Sequence, residues 1–578
     1  WSLVDGNGVM SPQPDSSDDG QASYQFDLSD AGVATFNLSN THADQLSIAG
    51  TDWTEGVTAS GGTVEFLENI LRISPNDPLG DDLIAARPHQ YEVALIKRDE
   101  NGECGVATDY EGTHSLEVWL NRSENDPGGA GPEIIGKTVL TEAGNEPGTG
   151  GVELEFSQGS ADLVLQAPDV GEYTLRLLDS TSGYARDPDG TAIPVPSTST
   201  GAPWTARPFA LAVSAPGNPG ATDADGDIFT AAGADFELEV KGVLYDSTDD
   251  ANGDGRADVG AVLSDNMAAQ SFGQEGETIS LEADLLAPDP TAADNPGLQG
   301  GENPMASFTN GLGSAPDFRF TEVGIISVSA RITDGAYLGV TPARTERMVA
   351  PSGPVGRFIP DRLDVSLEDK GALGSACTAG TTPFTYTGQV FRWQVLPRFE
   401  VIPKAVGGEI TNNYYLGGFM KLQASGFERG WPTTDDSATL NDNTTLMPLA
   451  VTFSDGVLEP RGDGDPLFYE YSAADEFLFT KTSEAQVAPF DPGLTFGLTK
   501  VSDTDNVSWT SPASATVPAP SDFRPDSMGD LRYGRLQMEN VYGPENVDEL
   551  LMPFSAEYWN GSRFVTNIDD SCTPWDTA

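Results

Sequence analysis

Apolar residues recur at every second position along much of the chain. In DFELEVKGV, residues 235 to 243, Phe236, Leu238 and Val240 share one face. In IISVSARI, Ile326, Val328 and Ala330 alternate with Ser327, Ser329 and Arg331. GVATFNLS and EYTLRLL follow the same rule, with turn-forming residues between the runs. A period of two puts alternate side chains on opposite faces of an extended strand. The chain therefore reads as antiparallel and all-β, with each strand turning one face to a core.

The alternating runs repeat on a larger scale. DAGVATFNLSN, DVGEYTLRLLD and EVGIISVSARITD each set an acid and a glycine just before a strand, with glycines at Gly32, Gly171 and Gly324. From 32 to 171 and from 171 to 324 the intervals are 139 and 153 residues, one sandwich each. RPFALAVS at 207 and RFIPDRLDVS at 357 follow the second and third glycines by 36 and 33 residues. Both join a proline to an alternating strand, as a stiff hand-over between domains does. These markers predict tandem Ig-like β-sandwich domains: the tail of one at 1–55, complete ones at 56–215 and 216–357, and a larger C-terminal β domain at 358–578. Proline- and glycine-rich stretches at 185–206, 286–316 and 510–530 read as long loops.

Charge narrows the partners. Acids outnumber bases 89 to 30 over 578 residues, for a net charge of -59. Such a field repels phosphate backbones and anionic lipid, so nucleic acid is not an expected partner. No apolar run approaches the roughly 18 residues of a membrane helix, so membrane insertion is not expected. The opening WSLVDGNGV carries no leader pattern and reads as a piece of a longer polypeptide.

Catalytic signatures are sparse. The three histidines, His42, His89 and His114, fall in different predicted strands or loops. There is no G-x-S-x-G, H-E-x-x-H or P-loop, and chance carboxylate pairs among 89 acids are uninformative. Of the three cysteines, Cys377 and Cys572 share the C-terminal domain and can form a disulfide in an oxidising compartment, leaving Cys104 over. Three separate buried thiols are the other reading.

DANGDGRAD, residues 250 to 258, is the one stretch with cation-binding spacing. Asp250, Asn252 and Asp254 take positions 1, 3 and 5 of an EF-hand-type loop, with Gly255 at the turn. Arg256 offers its carbonyl at 7 and Asp258 sits at 9. Position 12 is Ala261, so the loop is not a full EF-hand; Asp249 or Asp246 is available to complete it. A structural Ca2+ is expected here, against the plainer reading of a turn built from Asp, Asn and Gly. Asp223, Asp225 and Asp227 in DADGD are a shorter echo at the start of the same domain. The RGD at Arg461 to Asp463 reads as a charged turn, and Trp559 as the aromatic of an Asn-Gly hairpin.

Five blocks carry a resemblance: RPHQYEVALIKRDENGECGVATDYEG (87 to 112), ARPFALAVS, VGRFIPDRLDV, LRYGRLQMENVYGPE and MPFSAEYWNGSRFVTNIDDSCTPW (552 to 575). They resemble the MshQ family, large secreted proteins encoded with the MSHA type IV pilus machinery of Gram-negative bacteria. The resemblance implies a non-enzymatic protein of the outer cell surface, serving in adhesion or pilus biogenesis, but transfers no residue role. Its expected partners are pilus components, neighbouring copies of itself, and surface glycans. A filament or coat subunit assembling by β-strand exchange is the alternative, and a carbohydrate-active enzyme the third reading.

Overall fold

The computed structural model describes residues 2–5, 36–39, 44–51, 56–66, 69–98, 104–135, 138–139, 151–186, 191–198, 204–340, 342–434, 448–459, 467–481, 486–509, 523–546 and 548–574. The molecule is all-β, with Ig-like domains, as the period-two pattern predicts.

The first module is a sandwich built on strands between Asn69 and Arg207. One set of strands includes Asn69–Pro75, Pro88–Arg98 and Ser160–Gln166; the other includes Gly112–Arg122, Gly151–Phe156 and Gly171–Asp179. The short strand Val195–Thr198 pairs antiparallel with Gly171–Asp179 and parallel with Asn69–Pro75, stitching the two sets into one twelve-stranded sheet. Leucines, valines and Tyr91, Tyr110 and Tyr173 fill the space between them.

The second module sets Ala210–Ser214, Phe236–Val243 and Leu312–Arg319 in one sheet, against Ile279–Ala287, Gly324–Ile332 and Val355–Ile359 in the other. Its first strand lies before the division read at 215. Phe236–Val243 shows the predicted alternation, with Phe236, Leu238 and Val240 buried. Gly324–Ile332 departs from it, because Ser327 and Ser329 are buried as well. This strand is central, flanked by Ile279–Ala287 and Val355–Ile359. Its Val328 also exchanges hydrogen bonds with Ser352, whose loop lies alongside.

The third module sets Arg362–Asp369, Arg398–Lys404 and Leu467–Glu470 against Val390–Val395, Glu476–Phe479 and Leu449–Thr452. Its core is rich in aromatics, with Phe399, Tyr471, Phe477 and Phe496 around Trp393. After it comes a three-stranded antiparallel sheet, Gly534–Met538, Phe554–Trp559 and Phe564–Thr566, set apart from the module's own sheets.

Two of the predicted long loops contain strands. Residues 185–206 include Val195–Thr198 and most of Trp204–Arg207, and 286–316 includes Gln299–Gly300, Phe308–Thr309 and the start of Leu312–Arg319. Segments of two to four residues are too short to show a period, and Val195–Thr198, Trp204–Arg207 and Gln299–Gly300 pair with strands at a distance along the chain. Of 510–530, residues 510–522 lie outside the described residues, as do His42 and the RGD tripeptide.

Candidate functional site

The predicted cation-binding loops lie at the two junctions between modules. Arg207 ends the last strand of the first module and is fully buried. Its Nε and Nη2 donate to the two carboxylate oxygens of Asp82 at 2.8 and 2.9 Å. Nη2 also donates to the Gly255 carbonyl at 2.9 Å, and Nη1 to that of Pro208 at 2.9 Å. Arg347 of the second module reaches the same Asp82 at 3.0 Å, and Asp82 is held below the usual carboxylate range by these guanidinium groups against the opposing effect of its burial. A buried charge is tolerated where fork-shaped donors satisfy it in this way.

The DANGDGRAD loop is thus part of the first junction. Its side chains are occupied with its own backbone. Asp250 accepts from the amides of Asp254 and Gly255 at 3.0 Å each, Asn252 from Asp254 at 2.9 Å, Asp254 from Arg256 at 3.0 Å, and Asp258 from Ala251 at 2.8 Å. Asp250 is buried, while Asn252, Asp254 and Arg256 face outward. Among the described residues, no three His, Cys, Asp or Glu side chains are grouped to hold a metal ion. Each of these side chains caps an amide of the loop's own backbone, as turn-forming Asp and Asn do. Gly255 has φ +77°, and a Cβ there would meet Leu79 and Ile84 of the first module at 2.8 and 2.9 Å. The glycine therefore lets the loop sit directly on its neighbour.

The DADGD loop occupies the second junction. Asp223 accepts from the Asp225 amide at 2.9 Å, Asp225 pairs with Lys421 of the third module at 2.6 Å, and the Gly226 carbonyl accepts from Arg357 at 2.9 Å. Asp227 is exposed and contributes its backbone carbonyl, 3.5 Å from the Arg357 amide. Arg357 also forms a two-pronged pair with Asp505 of the third module.

The acid–x–Gly repeats hold further contacts that sequence reasoning did not reach. Asp169 accepts from the amide of Ser271, in the second module, at 3.1 Å. Glu322 accepts from Asn412 and Asn413, in the third module, at 3.0 and 3.1 Å. Burial pushes the Glu322 carboxyl up to about 7, against the three amides it accepts from. Asp82, Arg347, Ser271, Asn412, Asn413 and Asp505 had no motif to mark them.

Cys377 and Cys572 are joined, with Cα atoms 5.6 Å apart, and Cys104 is a free, exposed thiol. The disulfide ties the end of the C-terminal sheet to the third module. Arg532 reinforces it, donating to Asn567 at 2.6 Å and Asp569 at 3.0 Å between the rings of Phe384 and Tyr558. His89 is buried in the first module, where its Nε2 accepts from the Ile84 amide at 2.9 Å. Burial and the Arg87 charge lower it to about 4. His114 stacks on Tyr110 at 3.8 Å.

No curated protein matches the chain in sequence. Among solved structures, the adhesin FdeC of Escherichia coli is 11% identical, with 79% of this chain and 96% of that one covered at a TM-score of 0.22. Invasin, a bacterial integrin-binding protein, is 10% identical, with 82% of each chain covered and a TM-score of 0.23. InvD of Yersinia pseudotuberculosis is 12% identical, covering 79% of this chain and 97% of that one at 0.19. Superpositions this loose say nothing of function. Family models match in series: DUF6701 first Ig-like domain at 54–193, second domain at 207–316, third at 322–528 and fourth at 532–578. The matched spans do not coincide with the sandwiches: Gly324–Ile332 and Val355–Ile359 fall in the third-domain match but pair within the second module, and Val195–Thr198 and Trp204–Arg207 pair within the first module but lie beyond its matched span. With its four domains matched in order, the chain belongs to the DUF6701 family.

Proposed function

We propose that this chain is a non-enzymatic extracellular protein of an MSHA-type pilus system, in which successive β-sandwiches act as a spacer for surface adhesion or pilus assembly. The observation that carries this reading is the build of the junctions, where each module is bonded into the next by buried arginines and carboxylates. Modules welded in series suit a protein that holds something at a distance. The Cys377–Cys572 disulfide suits an oxidising compartment, and the resemblance to the MshQ family supplies the pilus. Pilus components or surface glycans are the partners in this reading, and calcium is a structural ion of the 250–258 loop.

Protease shaving of intact cells that express the tagged protein tests the location. Loss of the tag with cytoplasmic markers intact supports it, and full protection overturns it. Deleting the gene and counting both pili and surface-attached cells then separates assembly from adhesion.

A second reading rests on the C-terminal sheet. Every residue of Phe554–Trp559 is only partly buried, and Leu536, Met538, Leu551 and Ile568 are exposed. A sheet with apolar side chains and open edges can accept a strand from a neighbouring copy. Concentration-dependent polymers in sedimentation, lost on Leu536→Lys, would favour this reading.

A further inference from the structure

The two junctions are built from the same kinds of parts. At the first, Asp169 reaches forward to the Ser271 amide, and Val170, the next residue, is fully buried in the hydrophobic core of the second module. At the second, Glu322 reaches forward to Asn412 and Asn413, and Val323 is buried in the core of the third module. In each case a glycine follows. A Cβ on Gly171 would meet the Tyr173 hydroxyl and Asp126, and one on Gly324, at φ +149°, would lie 2.5 Å from the Ala287 carbonyl. The acid–Val–Gly triplet is therefore a hook: the acid holds the next module's backbone, the valine plugs its core, and the glycine lets the strand begin at once.

The arginines match as well. Arg207 and Arg357 stand 150 residues apart. Each makes a two-pronged pair with an aspartate, Asp82 or Asp505, and each donates to the carbonyl of a glycine in an acidic turn, Gly255 or Gly226. In each case the aspartate and the carbonyl belong to different modules, so the guanidinium spans the seam, although in the opposite sense. Asp82 lies in the arginine's own module and Gly255 in the next, whereas Asp505 lies in the next module and Gly226 in the arginine's own. Backbone bonds run beside it, Tyr245 to Ala85 at 3.0 Å in the first junction and Val406 to Ala232 at 2.9 Å in the second.

We propose that the two junctions are copies of one clasp, an acid–Val–Gly hook with an arginine strut, and that they hold the three modules as one stiff unit. Domains that merely touch through a small polar interface swing relative to one another. Here the valine is shared with the neighbour's core and the charges are buried and fully paired, so swinging requires breaking both at once. The acidic loops thereby gain a role as seats for the struts, one that requires no ion. This inference is independent of where the protein acts.

Spin-label distance distributions on the full chain test it, in a Cys104→Ser background. Labels at Asp162→Cys and Ser314→Cys report the first junction, and labels at Ser314→Cys and Thr452→Cys the second. A pair within the second module, at Ser314→Cys and Asp284→Cys, sets the width of a rigid body. The expected result is that both junction pairs are as narrow as this reference. Arg207→Gln should then broaden the first pair at least about twofold and leave the second unchanged, and Arg357→Gln should do the reverse. Broad junction distributions in the parent overturn the proposal, as does a second pair that stays narrow in Arg357→Gln. Hydrogen exchange checks that module cores survive each substitution. Where Arg207→Gln unfolds its module, the parent widths and the Arg357→Gln arm still decide.

Discussion

Glu322 is a carboxyl caught between two demands. Its amide partners favour the charge and its burial opposes it, with burial the larger effect, so its pKa rises from 4.5 to about 7. A folded-state value above the unfolded one means the native protein binds the extra proton. The stabilisation is full below pH 4.5 and disappears as pH rises through 7, at a slope of up to about 1.4 kcal/mol per pH unit. His89, lowered to about 4, works in the opposite sense, its stabilisation being present above 6.5 and lost as pH falls through 4. The Glu322 effect is therefore read by difference: the stability gap between the parent and Glu322→Gln should shrink from pH 4.5 to 7, and a flat gap in denaturant melts would contradict it. Gly324→Ala is the sharpest steric test, because its φ of +149° and the nearby Ala287 carbonyl leave no room for a methyl group. A loss of more than about 2 kcal/mol is expected in the same melts. The glycines and acids were visible as a repeat in the sequence. The clasp was not, since the partners of Asp169 and Glu322 are backbone amides about 100 residues away, and an amide carries no side-chain signature.

Among the elements, the longer strands were the most legible. Gly171–Asp179 follows the period of two from end to end, and Phe236–Val243 follows it until its last residue, Val243, which is buried beside Gly242. Where burial reaches both faces, as at Ser327 and Ser329, small polar residues conceal it. Strands of two residues, such as Gln299–Gly300, exist only through their long-range pairing and cannot be read locally. The C-terminal sheet illustrates a different dependence. It is attached through the Cys377–Cys572 disulfide, which closes 195 residues, and through Arg532. On the chain-entropy view a loop of this length is worth on the order of 5 kcal/mol. Cys377→Ser should therefore speed hydrogen exchange throughout Gly534–Thr566 while the third module's core stays protected. Equal protection with and without the disulfide would show that Arg532 and its partners suffice.

For the whole molecule, the acidic loops invite a direct measurement. The side chains of 250–258 accept from amides of their own backbone, and their carboxylate oxygens keep lone pairs that an ion could use. A fall of several degrees in unfolding temperature on adding EGTA assigns an ion to the protein, and Asp250→Asn abolishing that fall places it in this loop. An unchanged transition leaves Arg207 as the loop's anchor. The net charge of -59 adds a second expectation. Self-repulsion weakens with screening, so moderate sodium chloride should raise the unfolding temperature, although the buried pairs at the junctions are shielded from salt.

The placement of Val170 and Val323 bears on how such a chain can change over generations. Each belongs by sequence to one module and by packing to the next. A deletion cut at the visible edges of a sandwich would leave one core unplugged and strand a valine in water. A cut at equivalent points of two acid–Val–Gly triplets would remove one whole repeat and return every plug to a matching socket. Descendants of this chain can therefore lengthen or shorten by whole repeats of about 150 residues, in phase with the triplet, and not by single sandwiches chosen at their loops.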